Sequence, residues 1–451
     1  MLPSICLALL LCSARGSADS TVAFVDVTVI PMDRERSLPH STVLVQGNRI
    51  VKLGPAKEVT VPAGAVRVDG RGKFLIPGLA EMHAHIPGGQ ASSIVMQQTL
   101  FLYVSGGITT IRGMLGHPRH LQLRAQAANP NVISPWIYTS GPSFNGNTVP
   151  TVQSALTRVA EQKEAGYDFI KIHPGIKREV FDSLSAAAQR AGLRLAGHVP
   201  LEVGLQRALE VPYASIDHLD GYVEAMVRAD SPVSSSESQL FGLNLGEHLD
   251  ESRIPSLVKA TKEAGVWNVP TQTLMENLAP GVSAEALARR PEMRFVSPDM
   301  LAEWAQEKGS ILSETGSSAE SARRTLAVRR KLIRALHAGG AGLLLGSDAP
   351  QIYNVPGYSI HRELEAVVAA GLTPYQALET GTRNVAIYFG TLAESGTIEE
   401  GKRADLVLLE GNPLSDIRNT SRRAGVMLHG RWLSKDAIES RLAAIAEAVR
   451  N

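Results

Sequence analysis

Short apolar runs alternate with amphipathic segments through the middle of the chain. The eight runs, each followed by a turn or a polar segment, are 75–85, 108–113, 135–141, 169–175, 194–200, 215–221, 266–275 and 342–350. Strands that alternate with helices in this way are typical of an α/β fold with βα units around a parallel sheet. Eight units match the size of a (β/α)8 TIM-type barrel. We therefore predict such a barrel over residues 78–392.

The two ends of the chain have a different pattern. Branched residues, separated by Gly and Asn turns, dominate 21–78 and return in 396–433. This pattern favours strands and hairpins. We predict a small β-sandwich built from residues 19–77 and 393–435, and a C-terminal helix over 436–451.

The first 18 residues resemble an export signal. An apolar stretch, Ile5–Cys12, is followed by small residues up to Ala18, where a signal peptidase could cut. No basic residue precedes the stretch, so an uncleaved apolar tail stays an alternative. The only cysteines, Cys6 and Cys12, lie inside it, so the mature protein would need no disulfide. We predict an exported protein, periplasmic or secreted.

Composition narrows the classes of partner. The 451 residues, 44% of them hydrophobic, are enough for a large buried core. The net charge is +1, and no block of like charge suggests a nucleic-acid or anionic-membrane partner. No later apolar stretch is long enough to cross a bilayer. We expect a small-molecule substrate and no membrane contact after cleavage, and we leave a homo-oligomer open.

Polar residues stand near the ends of the predicted strands, where (β/α)8 barrels carry their chemistry. They are His83, His85, Lys171, His198, His218 and Asp348. Strand side chains alternate, so the two histidines of the His-x-His pair share a face and could bind one ion. A structural or surface pair is the alternative for these two residues alone. Further histidines and an aspartate at other strand ends favour a metal site.

These segments together resemble the metal-dependent amidohydrolase superfamily, in its imidazolonepropionase-like and prolidase-type branch. The resemblance runs in order through "FLIPGLAEMHAH", "GITTIRG", "FIKIHPG", "AGHVP", "IDHLDGY", "GSDAP" and "GTIEEGKRADLVLL". It implies two zinc ions, one bound by His83, His85 and Asp348, the other by His198 and His218. Lys171 would bridge the two ions.

Lys171 needs a chemical change before it can act as a ligand. A protonated lysine has three donors and no acceptor. In the binuclear relatives the amine takes up carbon dioxide and becomes a bridging carbamate anion, whereas imidazolonepropionases lack this lysine. An ion pair or a helix-flank charge is the alternative for Lys171. The resemblance thus implies the dinuclear branch that cleaves amides.

Asp348 is the expected catalytic residue. Two cations make a water acidic enough to supply hydroxide near neutral pH, and one can polarise the carbonyl. Asp348 would take the proton of that water and deliver it to the leaving nitrogen. The alternative is a turn or helix-capping aspartate.

Three further residues are candidates for substrate binding. Tyr222 in "HLDGY" is similar to a tyrosine that contacts the substrate carboxylate in prolidase-type members, although a packed aromatic is the alternative. His173 shares a face with Lys171, and His361 begins a helix after strand eight; both could instead position neighbouring groups. The segment "TSGPSFNGN" lacks the Gly-Gly-His loop of many dipeptide-cleaving relatives. A simple dipeptidase is therefore not implied.

The sequence thus predicts a hydrolase of C–N amide bonds in peptide-like or N-acyl amino-acid substrates. One alternative is a mononuclear, imidazolonepropionase-like hydrolase of cyclic amides or imidates, with Lys171 unmodified. Another is an inactive binding protein on the same fold. A helical, charged insertion between Met275 and Arg334 has the length of a lid over the pocket entrance.

Overall fold

The structure, a computed structural model, describes residues 21–129, 131–315 and 317–450. The predicted signal segment 1–18 lies outside these residues. The strands of the described part are β1 Thr21–Val29, β2 Leu38–Gln46, β3 Arg49–Pro55, β4 Val66–Asp69, β5 Phe74–Pro77, β6 Leu79–Ala84, β7 Ile108–Gly113, β8 Trp136–Thr139, β9 Phe169–Ile172, β10 Arg194–Gly197, β11 Tyr213–Asp217, β12 Trp267–Val269, β13 Leu406–Leu409, β14 Arg423–Leu428 and β15 Arg431–Ser434.

Helices follow most of these strands. They are α1 Ser93–Ser105, α2 Pro118–Ala127, α3 Val152–Ala165, α4 Arg178–Ala191, α5 Gly204–Glu210, α6 Tyr222–Ala225, α7 Ile254–Ala264, α8 Gln272–Leu278, α9 Ala284–Ala288, α10 Pro298–Thr315, α11 Ala319–Gly339, α12 Ser359–Ala369, α13 Pro374–Thr380, α14 Arg383–Phe389 and α15 Lys435–Arg450. No helix in the described ranges is long and apolar enough to cross a membrane.

The unit α3–β9 illustrates how local sequence sets the ends of these elements. The Thr151 side chain accepts a hydrogen bond from the Ser154 amide and starts α3. Gly166 ends α3 in the left-handed region, with φ of 81°. The chain then turns directly into the fully buried strand β9, which carries Lys171. Caps at both helix ends therefore fix where the strand begins.

The central strands form two parallel sheets, ordered β6-β7-β8 and β12-β11-β10-β9. They confirm seven of the eight predicted strands of the middle region. Isolated parallel bridges, such as Ser140 to Phe169, connect the two sheets on one side. The observed architecture is an α/β fold in which the strands of these two central sheets all point their carboxyl ends the same way.

The eighth predicted strand, 342–350, is not a regular strand. Its backbone bonds to β12 on one side, through Leu344 N and Asn268 O at 2.8 Å, and to β6 on the other. The Glu81 carboxylate interrupts the second ladder, because it accepts bonds from the amides of Ser347 at 2.7 Å and His83 at 3.2 Å. These amides donate to a side chain and not to a neighbouring strand, so only isolated bridges form.

The two ends of the chain combine in one eight-stranded sheet. Its order is β15-β14-β13-β5-β1-β2-β3, with β4 also paired to β1. Strand β5 pairs in parallel with β1 and antiparallel with β13, so N-terminal and C-terminal strands share one ladder. Within the described residues this is a single sheet, and the second layer of the predicted sandwich is not confirmed.

The insertion before the eighth segment packs into a second apolar core. Trp304 of α10 contacts Tyr353 at a centroid distance of 5.5 Å, and Leu442 of α15 belongs to the same cluster. The buried amine of Lys308 donates to the carbonyl oxygens of Asn277 and Ala279. The insertion is therefore fastened to the segments that follow β12 and the eighth segment.

Candidate metal centre

Two histidines and an aspartate meet where β6 ends. His85 Nε2 lies 2.6 Å from Oδ1 of Asp348, and His83 Nε2 lies 3.5 Å from the same oxygen. One ligand atom from each of these three residues falls within 4.8 Å of the other two. The arrangement presents two imidazole nitrogens and a carboxylate oxygen to one point.

His198 and His218 continue the cluster from β10 and β11. The ring centroid of His218 is 4.5 Å from that of His83 and 4.5 Å from that of His198. Asp220 accepts from His198 Nδ1 at 2.7 Å, and Thr271 Oγ1 lies 2.8 Å from His218 Nδ1. Asp220 thus fixes the ring orientation of His198, and Thr271 that of His218. In metal sites such an outer hydrogen bond determines which ring nitrogen can bind the ion.

The backbone is strained at this edge of the sheets. His218 has φ of 63°, Asp348 has φ of 65° and Thr271 has φ of 46°. Residues other than Gly rarely adopt such backbone angles, and each residue held in this region costs about 1–3 kcal/mol. Three such residues at neighbouring strand ends mark a site whose geometry the rest of the fold holds in place.

Lys171 lies under the cluster with no exposed surface. Its Nζ is 3.4 Å from His83 Nε2, and the described residues include no carboxylate within ion-pair distance of it. Burial lowers the pKa of the amine to about 8. The ion-pair alternative for Lys171 therefore has no support in the contacts.

A buried arginine supports the cluster from inside the fold. Arg112 donates to both carboxylate oxygens of Asp217, at 2.9 and 3.2 Å, and both side chains are wholly buried. The second of these oxygens also lies 2.9 Å from His83 Nδ1. Arg112 further donates to Ser215 Oγ and to the Met82 carbonyl, each at 2.6 Å. A continuous polar chain thus links Arg112 to a metal-site histidine.

Replacing Arg112 is expected to destabilise the fold strongly. Arg112→Met leaves the buried Asp217 charge uncompensated, which should lower the free energy of unfolding by about 3–5 kcal/mol. Urea denaturation followed by circular dichroism measures this change. The control is Arg124→Met, which removes a half-exposed ion pair with Asp168 and should cost less than about 1 kcal/mol. Equal losses in the two variants would contradict the supporting role of Arg112.

The three residues predicted to contact substrate lie in different surroundings. His173 lies at the edge of the cluster, with its ring centroid 4.9 Å from that of His198, and burial lowers its pKa to about 2. Tyr222 is fully buried in the main core, and its hydroxyl is 2.7 Å from Thr261 Oγ1. The left-handed turn at Gly221, φ 82°, comes directly before Tyr222. The packed alternative therefore describes Tyr222, and no substrate contact is supported for it.

His361 lies at the other end of the sheets. Its Nε2 bonds the Gly106 carbonyl, just before β7 begins, and its Nδ1 bonds Thr420. Both ring nitrogens of His361 therefore have partners outside the cluster, and they tie α12 to its neighbours. These contacts lend no support to the prediction that His361 contacts substrate.

Sequence reasoning missed several residues that complete the site. They are Glu81, Arg112, Asp217, Asp220, Thr271, Arg329 and Phe241. A signal for two of them was present, because "DHLD" places an acidic residue on either side of His218. Arg329 gave none: it comes from α11 and donates to the His218 carbonyl at 2.6 Å.

The donor set fits a divalent cation. Neutral imidazoles and carboxylates are the ligands that zinc prefers. Burial holds the pKa of His83, His198 and His218 well below the ordinary value, so these rings are neutral and can offer a lone pair. Asp220 and Thr271 supply the outer hydrogen bonds of His198 and His218 that such sites need. His83, His85 and Asp348 could hold one ion.

Comparison with known proteins agrees with this geometry. Residues 74–433 match the model described as amidohydrolase family. Imidazolonepropionase of Symbiobacterium thermophilum (strain DSM 24528 / JCM 14929 / IAM 14863 / T) is 25% identical over 404 residues, which cover 82% of this chain and 84% of that protein.

Solved structures share the fold. Bottromycin amidohydrolase matches with a TM-score of 0.69 and 22% identity, over 95% of this chain and 90% of that one. A Xaa-Pro dipeptidase with bound methionine in the active site matches with a TM-score of 0.66 and 18% identity, over 92% of this chain and 100% of that one. Since the family model spans most of the chain, this protein belongs to the amidohydrolase family, and it is a metal-dependent hydrolase that acts on carbon–nitrogen bonds.

Proposed function

We propose that the protein hydrolyses amide bonds of peptide-like or N-acyl amino-acid substrates at a dinuclear zinc centre. The ligands would be His83, His85 and Asp348 for one ion and His198 and His218 for the other, with carbamylated Lys171 between them. The observation that carries this proposal is the position of Lys171. Within the described residues this fully buried amine has no carboxylate at ion-pair distance, and it stands 3.4 Å from one histidine of the cluster.

A carbamate would allow Lys171 to bind a cation. A protonated amine has three donors and no lone pair, so in that form it cannot be a metal ligand. Uptake of carbon dioxide by the neutral amine forms a C–N bond at Nζ, releases one proton and leaves one negative charge shared by two oxygens. These oxygens would offset the charge of two cations in a buried site.

Asp348 is proposed to move the catalytic proton. Bound divalent cations supply a hydroxide nucleophile at neutral pH and polarise the scissile carbonyl. The Asp348 carboxylate stands 2.6 Å from His85 Nε2 and reaches His218 at 3.8 Å, so it lies between the two ligand groups. From there it can accept a proton from the attacking water and pass it to the leaving nitrogen as the C–N bond breaks. The products are a carboxylic acid and an amine.

The proposed scaffold is an eight-stranded (β/α)8 barrel. The seven strands of the two parallel sheets, with segment 342–350 bonded on both of its sides, support this arrangement. The six proposed ligands then stand at the carboxyl ends of its strands, where such barrels carry catalysis.

A mononuclear hydrolase of cyclic amides or imidates is the competing activity. It is favoured by the similarity of the chain to an imidazolonepropionase. Metal analysis of the purified protein separates the two: two equivalents per chain support the dinuclear site, and one equivalent supports the competitor.

The direct test is a hydrolysis screen with zinc and bicarbonate supplied. Dipeptides, N-acyl amino acids, cyclic amides and lactones are incubated with the protein, and the released amines and acids are quantified. Turnover of linear amides that is lost on chelation supports the proposal. Turnover of cyclic amides alone would overturn it.

We also propose that the chain is exported and cleaved after Ala18. The apolar stretch Ile5–Cys12 and the small residues that follow support this. N-terminal sequencing of protein from the periplasmic or secreted fraction should begin near Asp19. A chain that keeps Met1 and stays in the cytosolic fraction would refute export.

A further inference from the structure

A cavity of about 640 Å³ opens beside the proposed metal ligands. Its inner end is lined by His198 and by Asp220, which orients that histidine. Its size is that of a site for a small organic molecule. A group placed in it would lie next to the reacting centre.

The wall of this cavity is largely apolar. Val199, Leu201, Leu205, Leu240 and Phe241 all line it. Leu201 is 48% exposed, so an apolar surface lies in reach of a ligand. Contact between this wall and an apolar group of a substrate removes apolar surface from water, which favours binding.

Phe241 covers two of the ligand histidines. Its ring centroid lies 6.1 Å from that of His198, with the rings 22° from parallel, and 5.1 Å from that of His218. Ring pairs at these separations attract each other. Phe241 therefore forms the apolar boundary between the cavity and the metal centre.

A strained turn holds Phe241 in this position. Leu240, Phe241 and Gly242 have φ of 36°, 58° and 75° in succession. A Cβ atom at position 242 would lie 2.4 Å from the Val223 side chain, so only Gly fits there. The carbonyl oxygen of Gly242 accepts a hydrogen bond from the buried Thr325 hydroxyl at 3.0 Å. The surrounding structure thus maintains a backbone that an ordinary loop would avoid.

The charges of the wall exclude one class of ligand. Among the described residues that line the cavity none is a lysine or arginine, whereas Asp220 and Glu224 are acidic. Glu224 accepts from the Ser238 hydroxyl, which also lines the cavity. In this wall a substrate carboxylate would find no basic side chain and two acidic neighbours.

We infer that this cavity is a subsite for an apolar, preferably aromatic, substrate group that carries no carboxylate, and that Phe241 determines the preference. The inference rests on the proposed amide hydrolysis wherever it is tested by measuring turnover. It narrows the substrates from N-acyl amino acids in general to neutral aromatic amides.

Three matched compounds test the inference: N-acetyl-phenylalaninamide, N-acetyl-alaninamide and free N-acetyl-phenylalanine. For the zinc-loaded protein, kcat/KM should be at least about tenfold higher for the aromatic amide than for either of the others, since burying an aromatic ring and avoiding an unpaired carboxylate each have effects of this order. In Phe241→Ala the ratio of aromatic to alanine amide should fall to about threefold or less, mainly through KM. Phe241→Tyr should retain the ratio.

Controls separate the role of the ring from that of the charges. Ile387→Ala changes an apolar side chain, 39% exposed, that does not line the cavity, and should leave both ratios unaltered. Glu224→Gln should weaken the discrimination against the free acid and leave the aromatic preference. Wild-type ratios near one, or ratios unchanged in Phe241→Ala, would overturn the inference.

Binding to an inactive variant keeps the inference apart from the proposed function. Calorimetry with zinc-loaded Asp348→Asn should give at least about tenfold tighter binding of the neutral aromatic amide than of the free acid. Such a preference without any turnover in the wild-type protein would refute amide hydrolysis and retain the subsite. Turnover of all three compounds at equal rates would refute the subsite and retain amide hydrolysis.

Discussion

Asp348→Asn is expected to lower kcat by about 10³-fold, within the range that a positioned acid–base group contributes. The amide of Asn has nearly the shape of the carboxylate, but it cannot accept a proton from water and return it to a leaving nitrogen. Steady-state hydrolysis of the best amide from the screen measures the loss. Near-UV circular dichroism and the melting temperature should stay close to those of the wild type.

Metal content refines this prediction. Asp348 offers one of the donors that converge with His83 and His85, so its replacement should lower the content only in part. Asp230→Asn is a suitable control, because its side chain is 87% exposed and remote from the cluster. A kcat for Asp348→Asn within a few-fold of wild type would remove Asp348 from the catalytic role.

Lys171→Ala is expected to lose about one metal equivalent per chain and most of the activity. Without an anion between them, two cations at close range in a buried pocket repel each other strongly. Mass spectrometry of the acid-digested protein counts the metal, and hydrolysis of the same amide measures activity. Full metal content with full activity would overturn the dinuclear site and favour the mononuclear competitor.

Chemical rescue gives this variant a second readout. A short carboxylic acid such as acetate can fill the gap left by the side chain and supply the missing anion, so part of the activity should return in its presence. Lys163→Ala, which alters an exposed residue of α3, serves as the control and should show neither loss nor rescue. A lysine that only filled space would produce no response to acetate.

The sequence could predict that the proposed ligands lie together, because the periodicity and the order of the strands depend on local sequence. His83 and His85 share a face through the alternation of β6, and His198 and His218 follow the ends of adjacent strands. Parallel strands bring such ends to one edge whatever the loops between them do. The six predicted ligands are therefore contiguous in the structure.

Other features depended on contacts between distant segments. The Glu81 carboxylate accepts hydrogen bonds from the amides of His83 in β6 and Ser347 in the eighth segment. These bonds take the place of regular strand pairing, and no local sequence pattern predicts them. Tyr222 had the right spacing from His218, yet the turn before it and a partner on α7 bury its hydroxyl. His361 follows the eighth segment, but its helix presents the ring to the opposite end of the sheets.

What the long insertion after β12 covers could not be predicted from the sequence. Its length is that of a lid, and its apolar residues pack against α15 and the segment after residue 350. The ring that touches the ligand histidines is Phe241, from the serine-rich segment after β11. Loop length alone does not distinguish these cases, because the direction of each loop follows from its tertiary anchors.

The mixed terminal sheet has a consequence for the order in which a nascent chain can fold. Pro77 of β5 pairs with Leu406 of β13, so nearly the whole protein must be synthesised before this ladder closes. Closing so long a loop is slow, and until then one edge of β5 is an open template for other strands. Because β5 leads through Gly78 directly into β6, the last strands to be synthesised also secure the strand that carries the first metal ligand.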